Sequence, residues 1–292
     1  MLFLEFSTIF KNHSDLIYSI IQLKNGNIAS GSYDHTIKIW DVNSAQVLSS
    51  MDTQAKVYMI TELEEGYIAA CSNDKTIQIW NINSKTKVAS LYGHKDIPIS
   101  LMLLSKKFLL SSSEDNTIIL WDLSKMEYIS SLGSIHSGPV YSLISLHNGY
   151  IASSSADNTI KIWDFKNVFT SLNGHTGAVY SIIQLNNGNI ASASADKTVK
   201  IWNVTTGNLI ANFKSHENEI TSIIKLSNDL IASGSLDGNI LIWNQKNGKI
   251  ISSLESHSMI FSMINLSNGD IVAGTVDGIA IWKKVKKGMF KK

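Results

Sequence analysis

The stretch GHTGAVYSIIQLNNGNIASASADKTVKIWN, residues 174–203, decides the fold because its pattern recurs along the whole chain. Runs rich in β-branched residues alternate with the turn sequences NNG and ADK, and the apolar run NLIANF follows after TTG. Four short runs separated by turns predict a four-stranded antiparallel meander. The stretch also contains His175, Ser192 and Asp196, the residue types of a hydrolytic triad, which is recognised by geometry rather than by chain order. Catalysis and a structural role are both open at this point.

Tryptophan marks the repetition of this unit. The seven tryptophans follow one another at intervals of 39 to 42 residues: Trp40, Trp80, Trp121, Trp163, Trp202, Trp243 and Trp282. An aspartate stands six residues before each of the first six: Asp34, Asp74, Asp115, Asp157, Asp196 and Asp237. A histidine stands 27 residues before five of them: His13, His94, His136, His175 and His216. A period of this length predicts a repeat architecture with seven units.

The spacing of GH, then W followed by D or N, with D six residues before W, resembles the WD-repeat family of β-propellers. The resemblance covers essentially the whole chain and implies an all-β fold, a seven-bladed β-propeller of four-stranded antiparallel blades around a central channel. No linker interrupts the repeats, so we expect one domain over residues 1–292. The last repeat lacks an apolar fourth strand after Trp282, whereas residues 4–10 resemble that strand. We expect these residues to complete the seventh blade, which removes an exposed sheet edge.

The triad-like residues recur in five repeats, and five identical active sites in one ring would be an implausible form of catalysis. The resemblance implies instead that each set forms a buried network with its tryptophan: His13, Ser30, Asp34 and Trp40; His94, Ser111, Asp115 and Trp121; His136, Ser153, Asp157 and Trp163; His175, Ser192, Asp196 and Trp202; His216, Ser233, Asp237 and Trp243. Such a network gives each donor an acceptor. The second repeat has Thr53 and Ala70 in these places and the seventh has Ala273, so we expect those two blades to be the least rigid.

Two positions in each repeat are candidates for partner binding. In the family, the residue five after the histidine and the residue before the turn aspartate tend to surround the channel mouth. From these positions we take the following candidate partner-binding residues: Tyr18, Tyr33, Tyr58, Glu114, Tyr141, Tyr180 and Phe261. Packing of the tyrosines between blades is the alternative. Aromatic side chains with a polar tip are common anchors of interfaces, which favours binding.

Composition narrows the range of partners. The net charge is +1 and all 25 basic residues are lysine, so arginine-based recognition of phosphate is excluded and there is no overall charge to attract nucleic acid. We therefore expect protein or peptide partners, no nucleic acid and no integral membrane location. Near the aromatic residues of the mouth we expect Asn73, Glu114, Lys56 and Glu219, which suit a segment with an apolar or cationic side chain. The single cysteine, Cys71, lies in an apolar run and indicates a buried thiol in a reducing compartment. We expect an intracellular, cytoplasmic protein, with a nuclear location through the C-terminal lysines left open.

The resulting hypothesis is a non-enzymatic interaction scaffold, monomeric by itself and a subunit of a larger complex. Ubiquitin-pathway or signalling assembly would be typical of the family. We expect no catalytic residue, no cofactor and no metal. Two alternatives stay open: an enzyme that uses the channel as a pocket, and a peripheral membrane protein that binds through the six lysines among residues 283–292.

Overall fold

A computed structural model of the chain describes residues 4–64, 66–133, 135–226 and 229–285. Within these ranges the chain forms 28 strands in seven four-stranded sheets, and no described residue lies in a helix. Six of the sheets consist of four strands that are consecutive in the chain. We number these sheets as blades 1 to 6 and the remaining sheet as blade 7.

Each blade has its four strands ordered from the channel outward. Blade 7 consists of β26 (Ile260–Asn265), β27 (Ile271–Thr275), β28 (Ile279–Lys284) and β1 (Leu4–Phe10). Blades 1 to 3 consist of β2 (Ile17–Gln22), β3 (Ile28–Ser32), β4 (Thr36–Trp40) and β5 (Val47–Asp52); β6 (Val57–Glu62), β7 (Tyr67–Ser72), β8 (Ile77–Asn81) and β9 (Thr86–Leu91); and β10 (Pro98–Leu103), β11 (Phe108–Ser113), β12 (Ile118–Asp122) and β13 (Glu127–Leu132). Blades 4 to 6 consist of β14 (Val140–Ser145), β15 (Ile151–Ser155), β16 (Thr159–Trp163) and β17 (Val168–Asn173); β18 (Val179–Gln184), β19 (Ile190–Ser194), β20 (Thr198–Trp202) and β21 (Leu209–Lys214); and β22 (Ile220–Lys225), β23 (Leu230–Ser235), β24 (Asn239–Asn244) and β25 (Ile250–Glu255).

Blade 7 joins the two ends of the described chain. β1 pairs antiparallel with β28, in a register that places Leu4 opposite Lys284 and Phe10 opposite Ile279. The predicted completion of the seventh blade by residues 4–10 is confirmed. The sequence suggested a lysine-rich C-terminal segment over residues 283–292. Its first two lysines, Lys283 and Lys284, belong to β28. The remaining lysines of that segment, among residues 286–292, lie outside the described residues.

The hydrophobic core lies between blades. Seven clusters of buried side chains are present among the described residues, and each cluster joins two adjacent blades, including blades 7 and 1. Each cluster contains one of the seven tryptophans, and all seven are buried. Packing of each blade on both neighbours closes the ring, so the predicted seven-bladed propeller is confirmed.

The turn between the second and third strands of a blade requires the repeated aspartate. In blade 2, the Lys75 N–H donates to the carbonyl oxygen of Ser72, and Lys75 has a φ of 70°, in the left-handed region that lysine rarely adopts. The Asp74 carboxylate accepts hydrogen bonds from the N–H and the hydroxyl of Thr76, at 3.0 and 2.7 Å. The carboxylate therefore stabilises a turn whose backbone would otherwise be strained.

The contact of β1 with blade 1 predicts a large effect of Phe10. Phe10 is 3% exposed and packs on Trp40, with ring centroids 5.8 Å apart. We expect Phe10→Ala to lower the free energy of unfolding by about 3–5 kcal/mol, because it removes a buried aromatic ring at the closure of the ring. Urea denaturation measures the loss. Glu5→Ala, at an exposed position of the same strand, is the matched control; equal effects of the two substitutions would contradict the closure argument.

Candidate functional site

The repeated histidine, serine, aspartate and tryptophan lie together inside the blade. In blade 5, His175 Nδ1 lies 2.7 Å from Asp196 Oδ2, and His175 Nε2 lies 2.7 Å from Ser192 Oγ. The Trp202 indole N–H donates to the same Ser192 Oγ at 2.8 Å. The His175 side chain is only 1% exposed. Because a substrate could not reach this histidine, the geometry favours a structural network over a hydrolytic triad.

The same bonds are present in blades 1, 3, 4 and 6. The distances from histidine Nδ1 to the aspartate carboxylate are 2.7–3.1 Å, and those from indole nitrogen to serine Oγ are 2.7–3.0 Å. One direction of donation satisfies all members: the indole N–H donates to serine, the serine hydroxyl donates to histidine Nε2, and Nδ1–H donates to aspartate. This arrangement requires a neutral histidine.

The pKa values of the network agree with that protonation state. Burial lowers the pKa of His136, His175 and His216, more than their partner aspartates raise it. For Asp196, burial raises the carboxyl pKa, but the hydrogen bonds from His175 and Thr198 outweigh it, so the pKa lies well below its usual range. The folded state therefore combines an ionised aspartate with a neutral histidine.

Blade 2 has a different bridge, which the sequence analysis missed. The Gln78 amide nitrogen donates to Asp74 Oδ2 at 2.9 Å, and Gln78 Oε1 accepts from the Trp80 indole N–H at 3.1 Å. Gln78 pairs with Ala70 on the neighbouring strand. Ala70 occupies the position at which blades 1 and 3 to 6 have the network serine. One amide thus replaces both the histidine and the serine, so the absence of these two residues does not leave blade 2 without a bridge. The sequence feature that could have indicated this bridge is the glutamine two residues before the tryptophan, where other repeats have lysine or an aliphatic residue.

Blade 7 departs further from the pattern. At the entrance to this blade, Ser256 Oγ lies 2.9 and 2.5 Å from the carbonyl oxygens of Gly238 and Ser258, so its single proton can be donated to either. His257 follows it, but its side chain is 85% exposed and takes no part in a network. The turn before β28 is one residue shorter, with Thr275 N–H and Gly278 carbonyl oxygen 3.0 Å apart. This blade relies on the pairing of β1 and β28 and on its packing.

The seven candidate partner-binding residues all line one cavity of about 590 Å³ at the channel mouth. The innermost strand of every blade contributes at least one lining residue: Tyr18, Tyr58, Ile99, Tyr141, Tyr180, Thr221 and Phe261. Tyr33, Glu114 and Leu236 come from the turns that hold the aspartate. The equivalent positions of the repeats therefore converge, and the tyrosines are half-buried around open space rather than enclosed between blades.

Aromatic side chains divide the mouth into two arcs. The aromatic arc is formed by blades 7, 1 and 2 and contains Phe261, Tyr18, Tyr33 and Tyr58, whose neighbouring rings lie 4.9–5.5 Å apart. The Glu–Tyr arc is formed by blades 3 to 6 and contains the residues Glu114, Tyr141, Tyr180 and Glu219. Its two tyrosine rings are T-shaped, with centroids 5.1 Å apart.

Charges are distributed unequally between the arcs. Lys56 Nζ lies 4.7 Å from the centroid of the Tyr33 ring, in the aromatic arc. In the other arc, the Tyr180 hydroxyl donates to Glu219 Oε2 at 2.8 Å. Burial raises the pKa of Tyr141, and the negative charges of Glu114 and Glu219 raise it further. Both carboxylates therefore act on Tyr141. Burial also raises the pKa of Tyr18 and Tyr33, and the charge of Glu114 raises it further across the cavity.

Glu219 was expected near the mouth from the sequence, but its contact with Tyr180 was not. It lies one residue before β22, where most other repeats have an apolar residue such as Ile97 or Ala178. The carboxylate at this mostly apolar position is the sequence feature that could have indicated a special role. Its contact with Tyr180 comes from the neighbouring blade, and such a contact depends on the angle between blades rather than on a spacing in the chain.

The family model for the WD40 repeat (WD domain, G-beta repeat) matches residues 4–41, 63–81, 85–122, 128–164, 166–203 and 207–244, which is more than half of the chain. The chain belongs to the WD40 family. Its fold is similar to the crystal structure of the WD40 β-propeller domain of Doa1, with a TM-score of 0.87, 23% sequence identity and 98% of each chain covered. WD40 propellers generally bind proteins or peptides and act as non-catalytic interaction scaffolds.

One curated relative is similar over part of the chain. Protein SPA1-RELATED 3 from Arabidopsis thaliana is 26% identical over 141 residues, a stretch that covers 46% of this chain. The same stretch covers 16% of the relative, so this WD40 chain spans only a small part of that protein's length. The resemblance predicted from the tryptophan spacing is thus confirmed at the level of the family and the fold.

Three further observations concern other kinds of site in the described part of the chain. It contains no helix that is long and apolar enough to cross a membrane. It contains no group of three or more histidine, cysteine, aspartate or glutamate side chains placed to hold a metal ion. Cys71 is buried between blades 2 and 3, and burial raises the pKa of its thiol.

The network predicts a specific cost for removing its central hydroxyl. Ser192→Ala leaves the buried Trp202 indole N–H and His175 Nε2 without their partner, so we expect a loss of about 1–3 kcal/mol in the free energy of unfolding. Ser171→Ala, at an exposed serine of blade 4, is the control and should change little.

In blade 2, Gln78→Leu should lower the free energy of unfolding by a similar amount, because it removes the amide that joins Asp74 to Trp80. If chemical denaturation gives the same stability for Gln78→Leu and the wild type, the proposed amide bridge is wrong.

The same network predicts that acid weakens the fold. The lowered histidine pKa values mean that the unfolded chain binds protons first, so stability falls as the pH drops below about 6.5. The lowered aspartate pKa values add a second loss below about pH 3.9, which continues as the pH approaches their folded values. We expect the melting temperature to fall steadily from about pH 7 to about pH 4. His257→Gln changes only an exposed histidine and should leave this profile as it is; a flat profile down to about pH 4 would contradict the neutral-histidine assignment.

Proposed function

We propose that this WD40 protein is a non-enzymatic interaction scaffold that binds a segment of a partner protein at its channel mouth. The observation that carries the proposal is one cavity of about 590 Å³ lined by side chains from all seven blades. A cavity of this size is typical of binding sites, and its lining combines aromatic and aliphatic side chains with hydroxyl groups and two carboxylates. The seven candidate residues of the mouth all contribute to its lining.

The chemistry of the lining supports binding. Burial raises the pKa of Tyr18, Tyr33, Tyr141 and Tyr180. Their hydroxyls therefore stay protonated at neutral pH. The Tyr180 hydroxyl donates to Glu219, whereas those of Tyr18 and Tyr141 can donate to a peptide. Half-buried tyrosines combine a large apolar surface with a polar tip, which suits them to anchor a partner.

The ring geometry supports a scaffold role. Because every blade packs on both neighbours, the lining residues have fixed positions before a partner arrives, and little ordering accompanies binding. We propose that the protein is monomeric by itself and contributes this mouth to a larger intracellular complex. Assembly of ubiquitin-pathway or signalling components is the role we propose for that complex.

A displayed library of random peptides tests the proposal. We expect the wild-type protein to select peptides that bind the mouth, and a triple variant, Tyr18→Ala, Tyr141→Ala and Tyr180→Ala, to bind them more than about tenfold more weakly, since clustered aromatic anchors dominate affinity. Fluorescence anisotropy measures the affinities, and thermal melting shows that the variant is folded.

The matched control is a double variant, Tyr67→Ala and Tyr92→Ala. These tyrosines are 38% and 74% exposed and lie outside the cavity lining. It should bind the selected peptides as the wild type does. Peptides that bind the folded triple variant as tightly as the wild type would show that the channel mouth is not the binding site.

A further inference from the structure

We propose that the Glu–Tyr arc of the mouth binds a basic side chain, lysine or arginine, presented by the partner segment. The inference deepens the proposed function and rests on it, because it specifies the chemistry of the partner. It depends on the unequal distribution of charge between the two arcs of one cavity. Both carboxylates of the arc line the cavity, and so do its two tyrosine rings.

The arc is built across four consecutive blades. Glu114 follows β11 in blade 3, Tyr141 lies on β14 and Tyr180 on β18, and Glu219 precedes β22 in blade 6. The hydroxyl of Tyr180 holds Glu219 Oε2 at 2.8 Å, so this carboxylate has a fixed position. The two tyrosines thus stand between two glutamates, and a cation entering here would meet both negative charge and aromatic rings.

Glu114 is the carboxylate that lacks a protein partner. Among the described residues, its side chain forms neither a hydrogen bond nor an ion pair, although it is partly buried at the edge of the cavity. Burial raises the pKa of Glu114, and the negative charge of Asp96 raises it further. A partly desolvated carboxylate beside a second negative charge is unfavourable until a cation approaches it. Binding of a basic side chain would relieve this cost.

The aromatic arc shows the same recognition within the chain. Lys56 Nζ lies over the Tyr33 ring at 4.7 Å, so one tyrosine of the mouth already contacts an ammonium group. In the described part of the molecule no lysine has an equivalent contact with Tyr141 or Tyr180, and none pairs with Glu114 or Glu219. The Glu–Tyr arc therefore presents the chemistry that suits a cation, and the cation must come from another molecule. Acidic and phosphorylated side chains would be repelled there.

Pools of short fluorescein-labelled peptides test this inference. The central residue of each pool is fixed as lysine, arginine, norleucine, glutamine or glutamate, and the flanking positions are random. We expect the lysine pool, the arginine pool or both to bind the wild-type protein about tenfold more tightly than the norleucine pool, because a desolvated cation next to carboxylates and tyrosines gains affinity. Anisotropy titrations give the affinities.

Variants of the two glutamates identify the site. Glu114→Gln and Glu219→Gln should each remove most of the preference for the basic pools over the norleucine pool. Glu114→Lys should shift the preference towards the glutamate pool. Glu127→Gln, at an exposed position of β13 in blade 3, is the matched control and should behave as the wild type. Thermal melting of each variant confirms that it is folded.

The outcomes separate this inference from the proposed function. If all pools bind equally and the triple tyrosine variant loses them, the mouth binds peptides but the basic side chain is not recognised, and only this inference is overturned. A preference for basic pools that survives in Glu114→Gln and Glu219→Gln also overturns it. If no pool binds the wild-type protein, the proposed function fails as well.

Discussion

In blades 1 to 6, the aspartate carboxylate of the turn is the group on which the rest of the blade depends. In blade 1, Asp34 accepts hydrogen bonds from His13 and the Ser14 N–H on one oxygen and from Thr36 on the other. One carboxylate therefore holds both a turn with a strained residue and the loop that enters the blade. The residue before it, Tyr33, lines the mouth, so the position of a candidate binding residue follows from the position of a buried charge.

The sequence predicted the parts of the molecule that repeat. The tryptophan spacing was enough to predict the seven blades, and residues 4–10 were enough to predict the closure of the ring. Both predictions follow from the need of a sheet to bury its faces and to pair its strands. The positions around the mouth could also be identified as a set. The bridge formed by Gln78 and the contact of Glu219 with Tyr180 were missed because each depends on a neighbour, Ala70 across the strand pair and Tyr180 across the blade interface, which a spacing along the chain does not contain.

The two arcs show how a symmetric backbone can present an asymmetric surface. The seven blades have nearly the same strands, but the lining positions carry tyrosine, isoleucine, threonine or phenylalanine without regard to the repeat. Some lining side chains also bridge blades, as Tyr180 does to Glu219 and Thr221 does to the Ile260 carbonyl oxygen. The differences between repeats at the lining positions are what give the mouth its two arcs.

Pairing of β1 with β28 has a consequence for how the chain folds. Leu4 and Lys284 are partners although they lie at opposite ends of the described chain, so a long loop must close before blade 7 exists, and such closures make folding slow. During synthesis β1 emerges before the other described strands and has no partner until β28 has been made. Until then its edge is open to other strands, which makes the unfinished ring, rather than the finished one, the form most exposed to aggregation.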